Sequence, residues 1–313
     1  MAVVFTKIAV IFIMVLIGYV ASKAKVLPYE SNKYLVSLLL AITTPCMILS
    51  SMTAKTLTAK TLQESIEVIV GSIVFFLVAA ALAYVVVRLL NYQPKSDQGI
   101  LMVIMTAVNT GFMGFPITKA IFGDEYLFLM VIENIVLTTY LYSLAVFQMN
   151  IGEKKATDLK TVFRPLCNMC MLATVIAIAL LLLGIKLPGP IMDLTTTIGD
   201  ATIPISMIVV GIQLAESNLA KVIRNGRLIL ISLCNVILMP ALTFLAVNWL
   251  PITDPAKLIL IYAAAFPCAV VTVAVATKEN KNAGLMAEGV ALTTLFSLIT
   301  LPIISMILLT LYI

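Results

Sequence analysis

Apolar segments separated by short polar connections follow one another along the whole chain. Crossing the hydrocarbon layer of a bilayer takes about 20 apolar residues in an α-helix. Ten segments come close to this length or exceed it, and we call them spans 1 to 10: 5–22, 33–52, 66–90, 99–122, 126–149, 165–185, 191–214, 227–250, 256–277 and 283–312. The pattern predicts an all-α membrane protein with ten transmembrane helices, whose connections are too short to hold a soluble domain. The first span lacks a small-residue cleavage site, so we expect it to be retained as a helix.

Composition supports the membrane class and gives an orientation. Hydrophobic residues make up 62% of the 313 residues and charged residues 11%, whereas about a quarter of a soluble domain is charged. Most of the 20 lysines and arginines fall in connections that follow odd-numbered spans, which predicts that these connections face the cytoplasm and both termini the outside. This asymmetry accounts for the net charge of +5 without a nucleic-acid partner. We expect a multi-pass protein of the plasma membrane.

The sequence also predicts an inverted repeat. The longest polar connection, 150–164, divides the chain into two halves, 1–150 and 151–313, with five spans each. Because five is odd, the second half enters the membrane from the opposite side. Four features recur in the same order in both halves: Pro28 and Pro188 before spans 2 and 7, Pro45 and Pro204 within those spans, Pro116 and Pro267 within spans 4 and 9, and Glu133 and Glu288 in a shared E-x-x-x-L-T-T frame.

Span 4 contains the sequence NTGFMGFPI, which disfavours a continuous helix. Gly111 and Gly114 add backbone freedom, and Pro116 removes an N–H and collides with the carbonyl four residues earlier. Asn109 and Thr110 supply polar side chains just before this cluster. We therefore predict a helix break at these residues, which the inverted repeat pairs with a second break in span 9.

Span 9 carries Pro267 and Cys268 at the corresponding place, in AAAFPCAVVTVA, without a glycine. Unwound backbone at membrane depth has to be buried in protein or line a water-filled cavity. A half-helix that begins there directs free N–H groups and partial positive charge at the cavity, which favours an anion such as a carboxylate. We predict that the two breaks form a substrate site. The alternative, a simple kink, is the interpretation that we prefer for Pro240 and Pro302.

Two glutamates lie inside spans 5 and 10, where an ionisable group costs about 2.5–3.5 kcal/mol and usually has a function. Glu133 and Glu288 could hydrogen-bond the frayed backbone of the broken spans, or bind a coupling proton; Glu288 could instead pair with Lys278 or Lys281. We expect further polar residues in or near the spans to take part in coupling or to support the place where the broken spans 4 and 9 cross: Asn134, Thr138, Thr293 and Asp200. Asp200 has two interpretations, the interior of span 7 or the N-cap of a helix that begins at Ala201.

Metal and enzyme chemistry find no support in the sequence. Cys167 and Cys170 have the spacing of metal ligands, but the chain has no histidine and no second cysteine pair, so a zinc site lacks ligands. We expect no metal and no cofactor. Without histidine, a nucleophile–base pair or a ligand cluster, we do not expect an enzyme.

At this point the chain resembles the auxin efflux carrier family of bacteria and plants. The similar features are the sequence IGYVASKAKVLP at 17–28, the TTP of span 2, the Gly–Pro break of span 4 and the 5+5 arrangement of spans. The resemblance implies the fold of bile-acid sodium symporters, with spans 1, 2, 6 and 7 as a scaffold and spans 3–5 and 8–10 as a mobile transport domain. It also implies a homodimer that moves organic anions such as auxin, malonate or malate. By position, the crossing residues of the family fall on Asn109, Thr110, Pro116 and Pro267.

Two departures from these relatives narrow the expectation. Bile-acid-type symporters hold sodium with an acid in span 9, and this chain has none between Pro255 and Thr277, which argues against sodium coupling. The long loop of plant carriers between spans 5 and 6 is absent. We expect a secondary transporter of small organic anions that works by an elevator-like movement with a proton as the candidate coupling ion. The alternatives are a sodium-coupled symporter and an anion channel.

Overall fold

The computed structural model describes residues 2–151, 168–217, 222 and 225–313. The regular elements of these residues are helices, and one isolated antiparallel bridge joins Val108 to Cys268. The α-helices before residue 152 are α1 Ala2–Lys23, α2 Tyr29–Leu38, α3 Thr44–Ala54, α4 Ala59–Leu89, α5 Gln98–Thr106, α6 Phe115–Phe122, α7 Asp124–Tyr142 and α8 Leu144–Met149. Those after residue 167 are α9 Met169–Leu182, α10 Gly189–Asp200, α11 Thr202–Glu216, α12 Gly226–Leu233, α13 Met239–Asn248, α14 Asp254–Ala265, α15 Val271–Lys278 and α16 Ala283–Tyr312.

Seven helical segments in the described residues are long and apolar enough to cross a membrane: Thr6–Lys23, Glu30–Ala54, Ala59–Leu89, Asp124–Met149, Gly189–Glu216, Gly226–Asn248 and Ala283–Tyr312. They overlap spans 1, 2, 3, 5, 7, 8 and 10. Span 6 is represented by the shorter apolar helix α9, and spans 4 and 9 are each interrupted. The count of ten transmembrane helices and the inverted repeat therefore stay predictions.

Three π-helical turns each come directly before a helix with proline at its second position. The turns are Leu39–Thr43, Thr110–Gly114 and Cys234–Leu238, and the prolines are Pro45, Pro116 and Pro240. Proline cannot donate to a helical hydrogen bond, and its ring crowds the carbonyl four residues earlier. A wider turn at that point changes the hydrogen-bond register and gives the ring room. Pro240 therefore marks a π turn, whereas α16 continues through Pro302.

The described chain divides into two compact units, and each draws on both halves of the sequence. Unit 1 contains Met1–Ile66, Gly111–Ile132 and Cys167–Glu216, and unit 2 contains Glu67–Thr110, Glu133–Leu166 and Ser217–Ile313. In unit 1, α1 and α11 pack closely because Gly18 lies against the backbone of Ile208, and Gly211 against the backbone of Val15. Small residues allow such close approach of membrane helices.

Unit 2 has α5 and α14 at its centre. Every residue of α5 is buried, and α14 is buried continuously from Leu258 to Ala265. A helix that is apolar and buried on all sides lies in the interior of its unit. Both helices end at an interruption of the chain, so the two interruptions are also in the interior of unit 2.

Candidate functional site

The first interruption follows α5 and begins before the Gly–Pro cluster. Ala107 leaves the helix with φ −82° and ψ 106°, although neither it nor its neighbours is proline. Two side chains bond carbonyls in the last turns of α5: the Thr106 hydroxyl donates to Met102 at 2.9 Å, and the Asn235 amide donates to Met105 at 3.1 Å. The Met105 carbonyl is among the last four of the helix, which lack partners within it, so the Asn235 amide supplies a bond that would otherwise be missing.

The second interruption follows α14 at Phe266, which has φ −69° and ψ 146°. Its cause is local, because the residue before a proline is pushed out of the helical region, and Pro267 comes next. The helix resumes at Val271. Pro267 thus lies inside its break, whereas Pro116 is the second residue of α6, nine residues after Ala107 leaves α5.

The two interruptions pair with each other inside unit 2. Val108 and Cys268 form the antiparallel bridge, and the Ala269 N–H donates to the Ala107 carbonyl at 3.0 Å. The Cys268 N–H donates to the Thr293 hydroxyl of α16 at 3.1 Å. Each break therefore satisfies part of the other's backbone, which is what unwound chain at membrane depth requires.

Much of the N-terminal end of α15 is already hydrogen-bonded within the protein. Besides Cys268 and Ala269, the Thr272 N–H donates to the Ala269 carbonyl at 3.0 Å and the Val273 N–H to the Val270 carbonyl at 3.1 Å. An anion at this helix end would therefore find fewer backbone donors than the sequence led us to expect. The amide and hydroxyl side chains at the first interruption therefore become more important as groups that could bind the anion.

A polar cluster at the first interruption consists of Thr110, Glu133 and Asn134, and we call it the Glu133 cluster. Glu133 is 1% exposed. The Thr110 hydroxyl hydrogen-bonds the Glu133 side chain and accepts from the Asn134 amide nitrogen at 2.9 Å. Among the described residues, the second carboxyl oxygen, Oε2, has no hydrogen-bond partner. The preceding residue, Asn109, is 3% exposed and extends the polar surface.

The two glutamates of the repeated frame have different environments. Glu133 is buried, whereas Glu288 is half-buried in the first turns of α16. The threonines share one contact, because the Thr138 hydroxyl donates to the Asn134 carbonyl at 2.7 Å and the Thr293 hydroxyl to the Gly289 carbonyl at 2.9 Å. Thr293 differs because it also accepts from the Cys268 N–H of the second interruption. Equivalent places in the frame therefore share the contact within the helix but differ in burial and in tertiary contacts.

Several buried polar residues beside the interruptions were not among the sequence candidates. Asn235 is one, and Tyr140 is another: its hydroxyl bonds that of Thr106 and donates to the Gln148 amide oxygen at 2.7 Å. The ring of Tyr140 stacks on Phe76 with 4.4 Å between centroids. An isolated amide within an apolar span is a signal for Asn235 and Gln148, but their partners are distant in sequence.

The remaining candidates lie in unit 1. Gly111 and Gly114 are in the π-helical turn Thr110–Gly114, which leads into α6 with Pro116. Asp200 is the last residue of α10 and 55% exposed, so it is at the junction of α10 and α11, and it does not cap a helix beginning at Ala201. Its carboxylate lies 2.7 Å from the Lys119 ammonium.

Comparisons with known proteins cover nearly the whole chain. The model of the family described as membrane transport protein matches residues 3–305. An uncharacterized transporter of Methanocaldococcus jannaschii is 26% identical over 302 residues, which are 95% of this chain and 96% of that protein. An uncharacterized transporter of Methanothermobacter thermautotrophicus is 23% identical over 306 residues, with 95% and 96% covered. The matched family is the one that the sequence resembled, so that prediction is confirmed.

Proposed function

Because the chain belongs to the membrane transport protein family, that of the auxin efflux carriers, we propose that it is a secondary transporter of small organic anions. The substrates are carboxylates such as auxin-like acids, malate or malonate, and the location is the plasma membrane. Membership of the family supports a transport role. The substrate class, the mechanism and the coupling are our proposal.

One observation carries the proposal: two interrupted helices pair through Val108 and Cys268 in the interior of unit 2. Continuous helices satisfy their own backbone, so an interruption in an apolar span is tolerated only where protein or a cavity provides partners. Secondary transporters use such discontinuous helices to form substrate sites near the bilayer midplane. The polar side chains at this place are those expected of a small binding site, not of a packed core.

The anion is assigned to the residues around this pairing. Asn109 follows the bridge residue Val108 and offers amide donors, and Thr110 and Cys268 are polar residues beside it at the two interruptions. The side-chain donors matter more here because part of the α15 N-terminus is already bonded. A single carboxylate group matches so small a set of donors.

We further propose an elevator mechanism on a fold of ten transmembrane helices in an inverted 5+5 repeat, with spans 4 and 9 crossing, in a homodimer. Spans 1, 2, 6 and 7 would form the scaffold. The division of the chain supports this in part: unit 1 contains α1–α3 and α9–α11, and unit 2 contains α12–α16, but α6 and the first part of α7, from spans 4 and 5, are in unit 1. A proton is the proposed coupling ion.

Transport by purified protein in proteoliposomes tests the proposal. We expect labelled malate, malonate or indole-3-acetate to enter against unlabelled substrate inside, with saturation and a transient overshoot. Asn109→Ala should lower this counterflow about tenfold, a change of about 1.4 kcal/mol. Asn248→Ala, at the C-terminal end of α13, is the matched control. Uptake without saturation or overshoot would indicate a channel, and uptake that requires a sodium gradient would indicate a sodium-coupled symporter.

A further inference from the structure

The Glu133 cluster contains a buried carboxyl group that the proposed substrate site does not explain. Glu133 is 1% exposed, and its Oε2 atom has no hydrogen-bond partner among the described residues. Its described polar contact is the hydroxyl of Thr110. A buried polar group is normally hydrogen-bonded, and a buried charge is normally paired. One hydroxyl is too little to balance an ionised carboxylate in such surroundings.

Charged side chains of the described residues do not provide the missing partner of the Glu133 carboxyl. In the described part of the chain, no lysine, arginine or further acid interacts with Glu133 from its own helix or from the segments packed against it. The other buried titratable groups at the interruptions, Tyr140 and Cys268, are not among the groups that interact with Glu133. The Asn134 amide reaches the cluster through Thr110. The carboxyl must therefore be neutralised by something that comes from solution.

An anionic substrate increases the need to neutralise the Glu133 carboxyl. Thr110 belongs to the first interruption and touches the Glu133 carboxyl directly, so an anion bound there would be close to it. Two negative charges in a low-dielectric interior repel strongly, and one of the two groups then stays protonated. We propose that Glu133 is protonated whenever the anion is bound, so that proton and anion cross the membrane together. This inference rests on the proposed function and names its coupling site.

The donors at the site favour a proton over a metal cation. The Thr110 oxygen already accepts from the Asn134 amide nitrogen at 2.9 Å, and its own hydrogen is directed at Glu133. Hard cations need several free oxygen ligands, whereas this cluster presents N–H and O–H donors. Once protonated, the Glu133 carboxyl becomes a donor itself, which allows it to reverse the hydrogen bond with Thr110.

Calorimetry can count the protons. Malonate is titrated into the purified protein in buffers that differ in ionisation enthalpy, at a series of pH values that extends far above the ordinary range of a glutamate. At the highest pH values, where Glu133 is ionised before malonate binds, we expect uptake of close to one proton per malonate in the wild type and in Glu133→Asp, and none in Glu133→Gln. Glu125→Gln is the matched control, because Glu125 is 57% exposed at the start of the same helix. Binding without proton uptake in the wild type across the whole pH series overturns the proposal, even if no variant folds.

Transport separates this inference from the proposed function. With an acid-outside gradient, the wild type should accumulate malonate, and accumulation by Glu133→Gln should fall about tenfold or more while malonate–malonate exchange slows far less. Equal accumulation by both proteins, or accumulation driven only by sodium, overturns the proton site and leaves the transporter in place. Failure of the wild type to bind or exchange malonate, malate and indole-3-acetate overturns the proposed function, and the inference with it.

Discussion

The two chain interruptions in unit 2 are paired with each other, yet they are built differently. The break at Phe266 follows from Pro267, and its described side-chain support is two hydroxyls, those of Thr293 and Thr272. The break at Ala107 has no adjacent proline, and side chains from other helices support it, Asn235 among them. The polar residues that could bind substrate or proton gather at this break. A break caused by a neighbouring proline needs few polar side chains around it. A break held by tertiary contacts has polar side chains from distant segments close to it.

Among the variants that test this difference between the two breaks, Thr110→Val should have the largest effect. The change removes the hydroxyl that joins Glu133 to Asn134, and a buried polar group left without its partner costs about 1–3 kcal/mol. We expect a loss of stability of about 3 kcal/mol and the loss of proton-driven accumulation. Thermal unfolding in detergent and uptake into proteoliposomes measure the two effects. Thr138→Val is the control because the Thr138 hydroxyl bonds its own helix; equal effects of both variants would contradict the prediction.

Thr293→Val tests the second break. The change leaves the buried Cys268 N–H without its acceptor, and an unsatisfied buried donor costs about 1–3 kcal/mol. We expect destabilisation of about 2 kcal/mol without a change in the number of protons taken up per malonate. Thr293→Ser keeps a hydroxyl and should recover most of the stability in the same unfolding assay. A changed proton count would show that the two breaks are not chemically distinct.

Asn235→Leu should have a smaller effect on the first break. The variant removes the donor to the Met105 carbonyl, but it also removes the asparagine's own buried amide oxygen, which has no partner in the described residues. An under-satisfied carbonyl is tolerated better than an orphaned N–H. We expect a loss of about 1 kcal/mol in thermal unfolding. A loss as large as that of Thr293→Val would mean that both breaks depend equally on side-chain support.

Asp200→Asn should have the smallest effect, because Asp200 lies in unit 1 and belongs to neither of the two breaks. Its partner Lys119 is 2.7 Å away, but Asp200 is 55% exposed, and exposed ion pairs contribute about 0–1 kcal/mol. We expect a change in stability below about 1 kcal/mol and unaltered malonate binding by calorimetry. Weakened binding would place Asp200 in the transport machinery and remove it from the group of structural residues.

The sequence located the second break more accurately than the first. Pro267 forces its neighbour out of the helix whatever the surroundings are, so the break falls where the proline indicates. Pro116 does not mark the place where the first helix ends, because a π-helical turn before it makes room for the proline ring and the helix α6 continues through it. The actual departure at Ala107 depends on pairing with a segment about 160 residues away, which no local pattern contains.

The candidate residues show the same division. The costly placement of an acid in an apolar span drew attention to Glu133 before any contact was known. The shared frame suggested that Glu288 would behave alike, but one glutamate is buried and the other half-buried. Asn235 and Tyr140 remained unnoticed because their importance lies entirely in their partners, Met105 and Thr106.

The sequence by itself determined the membrane class, most of the spans, the family and the places where helices are liable to break. These follow from length, hydropathy and proline stereochemistry, which act over a few residues. Only the tertiary structure decided which carboxyl is buried, which backbone groups find partners and where the first helix ends. Those outcomes depend on groups brought together from distant segments, because an apolar interior leaves no water to satisfy them and makes each missing partner costly.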